Sequence, residues 1–264
     1  MSQPIKITSP VRLRNLNPNY HEGLDKEKSR EVTEKLCRRI GDLQEVLYAD
    51  RRYALVIVLQ GMDTSGKDGT VKHVLDCVNP SGVETANFKA PSGEELAHDY
   101  LWRVHKVVPR CGNIGVFNRS HYEEVLIVRV LDLVPPKVWR KRYDQINAFE
   151  KHLAENNVVI LKFFLHISKD EQAKRLQARI DDPKKRWKFQ LEDLKMRACW
   201  DRFQKAYEDA INRCSTPYAP WHVIPANHKW YRNYIVAKII VNALDSLNLK
   251  FPKPKEDLSK IRIK

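Results

Sequence analysis

The feature that most constrains this chain is the β-branched apolar run Leu55-Val56-Ile57-Val58-Leu59-Gln60, which ends in a loop carrying Gly61, Gly66 and Gly69. A short apolar run closed by glycines reads as a buried strand. After the loop, Val71, Val74, Leu75 and Val78 recur at helical spacing. Strand, glycine loop and helix form the context a phosphate-binding loop requires, and Gly61-x-x-x-x-Gly66-Lys67 has the matching spacing. Glycines let successive backbone N–H groups turn inward, the next helix offers its positive end, and Lys67 adds a cation. The expected phosphate contacts are Gly61, Thr64, Ser65, Gly66, Lys67, Asp68, Gly69 and Thr70. One position departs from the pattern. Asp68 stands where a Ser or Thr hydroxyl normally holds magnesium, so Asp63 and Asp68 become the oxygen ligands on offer to a hard cation. The bland alternative, an ordinary Gly-Lys turn with a solvated lysine, does not account for the flanking strand and helix.

The rest of the chain repeats the alternation. Val32, Leu36, Ile40, Leu43 and Leu47 line one face of a helix over 26–49, which leads into the strand 54–60. A breaker cluster at Asn79-Pro80-Ser81-Gly82 stops the helix after the loop. A short strand at 83–88 follows, then a helix at 93–107 opened by the Ser92/Glu95 capping pair. Ile114-Gly115-Val116-Phe117 is a third strand that runs straight into Asn118-Arg119-Ser120-His121-Tyr122-Glu123-Glu124. Helices are expected at 122–131, 137–155, 169–180, 190–213 and 229–247, with strands at 158–165 and 221–224. Residues 1–25 read as an extended arm, and the Lys- and Pro-rich tail over 251–264 as mobile. The whole reads as one domain, an α/β fold with a parallel sheet covered by helices on both faces. In such sheets ligands sit at the carboxyl ends of strands, where both the glycine loop and Asn118-Arg119 fall.

Composition limits the function classes. The 264 residues carry 42% hydrophobic and 30% charged side chains, enough for a real core with a soluble surface. No apolar run approaches the roughly 20 residues of a membrane span. The N-terminus lacks a signal-peptide core, and five scattered cysteines without metal spacing suit a reducing, cytoplasmic setting. A net charge of +14 calls for a polyanionic partner. The glycine loop turns that partner from nucleic acid, for which there is no recognisable module, toward a polyphosphorylated small molecule or an inorganic polyanion.

Phosphoryl transfer needs a cradle, a metal held by carboxylates, and cations that offset charge on the moving group. Metal candidates are Asp63, Asp68 and Glu123, and Arg119 is the best placed cation, since a guanidinium grips two oxygens. Taken singly, Arg119 could be a structural ion pair and Glu123 a first-turn carboxylate; their shared place at a strand end favours chemistry. Arg175, Arg179, Lys184, Lys185 and Lys188 form a second cationic set. It is either a solvated helix face or a lid that closes over a phosphate chain.

With these motifs in hand, the chain resembles the polyphosphate kinase 2 family, in its class III branch. Gly61 through Gly69, Phe117-Asn118-Arg119-Ser120-His121-Tyr122-Glu123, Asp182-Pro183-x-Lys185-x-Trp187-Lys188 and Trp221 through Ala226 are similar to the family's motifs, in order. The resemblance implies a thymidylate-kinase-like, three-layer P-loop kinase fold with a five-stranded parallel sheet and a helical lid at about 169–200. It implies Mg²⁺-dependent transfer of the terminal phosphoryl of inorganic polyphosphate to AMP or ADP, reversible in principle so that ATP would extend polyphosphate. Asp63, Lys67, Arg119 and Glu123 match its catalytic residues, whereas Asn118 stands where the family usually has Asp. The partners expected are polyphosphate, AMP, ADP and ATP, with a homo-oligomer and neither nucleic acid nor membrane. An ATP-dependent nucleoside or nucleotide kinase and a basic nucleic-acid-binding protein are the competing readings.

Overall fold

The structure is a computed structural model that describes residues 5–254 together with 256, 258, 261 and 262. Five parallel strands form one sheet: β1 (Ala54–Gln60), β2 (Val83–Asn87), β3 (Ile114–Asn118), β4 (Val158–His166) and β5 (Trp221–Pro225), in the spatial order β2-β3-β1-β4-β5. Every residue of β1 and of β5 is buried, as strands covered on both faces require. The glycine loop therefore leaves the central strand. β1 pairs with β3 on one side and β4 on the other, with Leu59 opposite Asn118 and Gln60 opposite Phe164. The chain order reverses across β1, so a crevice opens at its carboxyl end.

Ten helices flank the sheet among the described residues. They are α1 (Lys26–Asp50), α2 (Lys67–Val74), α3 (Gly93–Leu96), α4 (Trp102–His105), α5 (Ile127–Val130), α6 (Pro136–Glu155), α7 (Lys169–Asp181), α8 (Leu191–Ala198), α9 (Trp200–Cys214) and α10 (Lys229–Ser246). α1 packs on α10 and α2, while α6 packs on β4 and α9. Asp25 caps α1 by accepting from the N–H groups of Glu27 and Lys28, both at 3.0 Å, and Ser168 caps α7 through Glu171 N at 3.1 Å.

Four helices differ from the sequence reading. The helix after the loop, expected to run to the breaker cluster at Asn79, already ends at Val74. The helix expected over 93–107 is two short pieces, because Asp99 Oδ1 accepts from Leu101 N at 2.9 Å and restarts the chain in an Asx turn. The stretch 190–213 breaks at Cys199, which lets α9 bury its apolar face while α8 remains on the surface. Over 122–131 the chain makes a 3₁₀ turn, His121–Glu124, before α5. The arm also does more than extend. Ile7 N donates to Trp221 O at 2.9 Å and Val223 N to Ile5 O at 2.9 Å, which pins it antiparallel against β5 with Ile7 and Leu13 buried. The parts of the arm and tail expectations that fall on residues 1–4, 255, 257, 259, 260, 263 and 264 lie outside the described residues.

Candidate active site

The glycine loop is built so that its carbonyls are tied from behind. Gly61 and Gly66 have φ of +152° and +104°, a region side chains rarely adopt. A Cβ at Gly66 would fall 1.9 Å from Arg232 Nη1, and one at Gly61 would meet Leu165 O at 2.8 Å. Lys67 Nζ donates to Gly61 O at 2.9 Å and Met62 O at 3.4 Å, bridging the loop across its own mouth. Gln172 Nε2 holds Asp63 O at 3.1 Å. Among the described residues, Ser65 Oγ and Thr64 Oγ1 are buried without a hydrogen-bond partner, a costly arrangement unless a bound group completes it.

Two arginines under the loop complete this clasp. Arg175 uses all its donors: Nε to Glu171 at 2.7 Å, Nη1 to Thr64 O and Ser65 O at 3.0 and 3.1 Å, and Nη2 to Ala226 O and Asn227 O at 2.7 and 3.0 Å. Arg232, on α10 and 2% exposed, donates to Ser65 O at 3.5 Å and to Asn233 Oδ1 at 2.8 and 3.1 Å. It has no carboxylate within ion-pair distance among the described residues. Burial, and then the neighbouring charge of Arg175, pull its guanidinium down to about 10. The cradle thus rests on a buried positive charge with no counter-ion among the described residues.

From β3, Asn118 and Arg119 reach the same crevice. Arg119 has φ of +61°, a left-handed turn that is held by its N–H donating to Leu59 O at 3.0 Å and that turns the chain sharply at the strand end. Arg119 Nη2 lies 3.3 Å from Asp63 Oδ1, and Asn118 Nδ2 donates to Asp68 Oδ1 at 2.6 Å. Burial raises the carboxyl of Glu123, against the pull of Arg119 and Lys67; burial likewise lowers Lys67, against Asp63. With its amide oriented to satisfy both ends, Gln60 donates to Glu123 Oε1 at 3.2 Å and accepts from Ser120 N and Oγ at 3.1 Å.

The turn that carries Glu123 is anchored in the core by an ion pair with no exposure on either side chain. Lys162 Nζ donates to Glu150 Oε2 at 2.5 Å, Tyr122 OH at 2.7 Å and Cys214 O at 2.7 Å. Tyr122 OH donates to Glu150 Oε1 at 2.9 Å, and His121 Nε2 lies 3.2 Å from the same oxygen. Burial would raise the Glu150 carboxyl, but Lys162 and His121 outweigh it and hold it low.

Asp63, Thr64, Gly66, Lys67, Asp68, Gly69, Asn118 and Arg119 share a cavity of about 360 Å³, and Arg179, Lys185 and Lys188 close it from the α7–α8 side. Lys185 also pairs with Asp182 at 2.5 Å, and Arg179 with Asp193 at 3.7 Å. Not all the expected residues line this cavity: Ser65 and Thr70 are buried behind it, and Gly61 and Glu123 line only a smaller neighbouring pocket. Lys184 does not line this cavity, and Arg175 serves the loop's underside instead of the lid. A neighbouring pocket of about 40 Å³ is lined by Gly61, Met62, Asp63, Arg119, Glu123 and residues of α5, α8 and α9. Asp68 stands outside it, engaged with Asn118. Arg232, Gln60 and the Lys162–Glu150 pair were not foreseen. Arg232 sits in an apolar helix with no motif around it, and a buried ion pair leaves no local pattern.

A glycine cradle on the central strand, a cation on the adjacent strand and a basic cover define a P-loop phosphate-handling protein. Comparison with known proteins narrows this. Residues 23–252 match the family model for polyphosphate kinase 2. An AMP/ADP-polyphosphate phosphotransferase of Meiothermus ruber is 56% identical over 238 residues, covering 90% of this chain and 89% of that one. An ADP-polyphosphate phosphotransferase of Rhodopseudomonas palustris is 45% identical, covering 86% and 83%. A crystal structure of polyphosphate kinase 2 from Arthrobacter aurescens superposes with a TM-score of 0.94 at 42% identity, over 97% of this chain and 92% of that one. The chain belongs to the polyphosphate kinase 2 family.

Proposed function

We propose that this chain is a Mg²⁺-dependent polyphosphate:AMP/ADP phosphotransferase. The observation that carries the reading is the cationic cavity at the strand ends. The cradle, Lys67, Arg119 and three lid cations face one space of about 360 Å³, and the charge of Arg232 beneath the loop has no counter-ion among the described residues. A chain of linked phosphates supplies that counter-charge. The names of the relatives from Meiothermus ruber and Rhodopseudomonas palustris supply the acceptors, AMP and ADP.

In this reading the terminal phosphate of polyphosphate lies against the backbone N–H groups of residues 61–70. An oxygen of the acceptor's own phosphate attacks the terminal phosphorus in line. A new P–O bond forms as the P–O bond to the next phosphate breaks, and the shortened polyphosphate leaves with that electron pair. The attacking oxygen is already deprotonated, so no general base is needed. Arg119 and Lys67 offset charge on the equatorial oxygens, which is the main requirement of a loose phosphoryl transfer. Arg179, Lys185 and Lys188 draw the donor in and exclude water. The reverse direction, from ATP to polyphosphate, uses the same groups.

Magnesium fits the residues present. It needs one or two protein carboxylates and takes its remaining ligands from phosphate and water. Asp63 and Glu123 line the same 40 Å³ pocket at the mouth of the cradle and would hold it, and Asp68 could join once it is released from Asn118. When bound, the ion neutralises phosphate charge. We also propose that the chain works as one kinase unit in the cytoplasm, assembled as a homo-oligomer. Five free thiols and the absence of any described helix long and apolar enough to cross a membrane agree with that setting.

The test offers AMP and ADP with polyphosphate or with ATP, with and without Mg²⁺, and separates the products. Polyphosphate alone is expected to convert AMP to ADP and ADP to ATP. Turnover with ATP but none with polyphosphate would overturn the proposal in favour of an ATP-dependent kinase.

A further inference from the structure

A second cavity, of about 650 Å³, lies beside the first, between α1, α2 and the start of α10. Lys26, Arg30, Arg38 and Lys229 line it, together with His73 and Trp230. Two walls connect it with the active-site cavity. Along α2, His73 follows Gly69 by one turn, about 6 Å of helix, and its Nδ1 lies 2.8 Å from Gly69 O; Gly69 lines the active-site cavity. On the other side Lys229 lies in the positive field of Arg175, Arg232 and Lys185, with Glu171 opposing, and Lys185 lines the active-site cavity as well.

The cations here are poorly neutralised. Among the described residues neither Arg38 nor Lys229 has a carboxylate within ion-pair distance, and Arg30 and Lys26 share Glu27 at 3.5 and 4.0 Å. A chain with one negative charge per unit, held at one end in the cradle, has to leave the active-site cavity somewhere. The groove offers it a basic path that begins about one helical turn away.

We infer that the groove between α1, α2 and α10 is a second polyanion subsite, which takes the distal phosphates of a long polyphosphate whose reacting end lies in the cradle. This rests on the polyphosphate reading of the active site. Glu34 and Asp76 face the same groove, and they limit how tightly it holds the chain.

The groove is tested with the Mg²⁺-loaded enzyme, ADP as acceptor, and two donors: long-chain polyphosphate and the shortest chain the wild type turns over. Arg30→Gln with Arg38→Gln should raise KM for the long chain roughly tenfold, the product of two exposed charge contacts. KM for the short chain, KM for ADP and kcat should stay put. Glu34→Gln with Asp76→Asn should lower KM for the long chain, a gain that damage to the fold does not produce. The long-chain effects should shrink as salt rises. Equal effects on both chain lengths, or none on either, would overturn the subsite while leaving the function intact. A wild-type enzyme that uses no polyphosphate of any length would overturn the function itself, and the subsite with it.

Discussion

Arg232 offers the sharpest test of how the cradle is built. It is buried under Gly66, and its guanidinium is pulled from 12.5 to about 10, first by burial and then by Arg175. At about 1.4 kcal/mol per unit, keeping it charged at neutral pH costs the empty fold about 3 kcal/mol. Its bonds to Asn233 and Ser65 return about 1.5–3 kcal/mol. Replacement by Met removes both the cost and the bonds, so the empty Arg232→Met protein should unfold within about 1 kcal/mol of the wild type. The difference should appear with ligand. A phosphate chain over the loop supplies the missing counter-charge in the wild type only. Its stabilising effect should therefore fall by up to about 3 kcal/mol in the variant, and KM for polyphosphate should rise by as much as about a hundredfold. Thermal unfolding with and without polyphosphate, alongside KM, reads both effects, and Arg232→Lys should retain most of the ligand response. A variant that melts several degrees lower when empty yet keeps the full polyphosphate-induced rise would refute the reasoning and make Arg232 a simple strut.

Three further outcomes are expected. Asp63→Asn should raise the Mg²⁺ concentration needed for half-maximal rate, since an amide is a weaker partner for a hard cation; an unchanged requirement would move the ion to Glu123 or Asp68. Asn118→Asp replaces a donor 2.6 Å from Asp68 with a second carboxylate. It should lower stability by about 1 kcal/mol, screened by exposure, and a denaturant titration should show Mg²⁺ restoring more of that loss than it adds to the wild type. His222 is buried on β5 and its ring is pushed down to about 4 by burial. The unfolded chain therefore binds the extra proton between pH 6.5 and 4, and stability present above pH 6.5 is lost as pH falls through that window. His222→Gln should remove about 3 kcal/mol of that loss, as measured by denaturant midpoints across the range.

Features written locally were legible in the sequence. β1 is found over the predicted residues 54–60 and β4 within one residue of its predicted end, because β-branched runs closed by breakers carry their own signal. The cradle, Arg119 and Glu123 were legible for a related reason: strand ends in a parallel sheet gather at one edge, so two motifs in separate strands must meet. Features decided by tertiary contact were not. The capping pair at Ser92 forms and opens α3 as predicted, but the Asx turn at Asp99 cuts the predicted helix in two. Arg175 and Arg179 look alike in a charge run, yet one turn of α7 sends the first under the loop and the second to the cavity. Arg232 has no motif around it, and its role appears only when α10 is laid beneath Gly66.

The most direct test of the central claim, that the phosphoryl group moves over the glycine cradle, is the turnover of Lys67→Ala with polyphosphate and ADP. Lys67 bridges Gly61 and Met62 at the loop's mouth, and in the proposed reaction a cation there would stabilise charge that develops in the transition state. Its loss should cost about 3–4 kcal/mol, roughly a thousandfold in kcat, with the thermal unfolding of the empty protein little changed. A folded Lys67→Ala enzyme that keeps near-normal turnover would contradict the account and leave the cradle a structural turn.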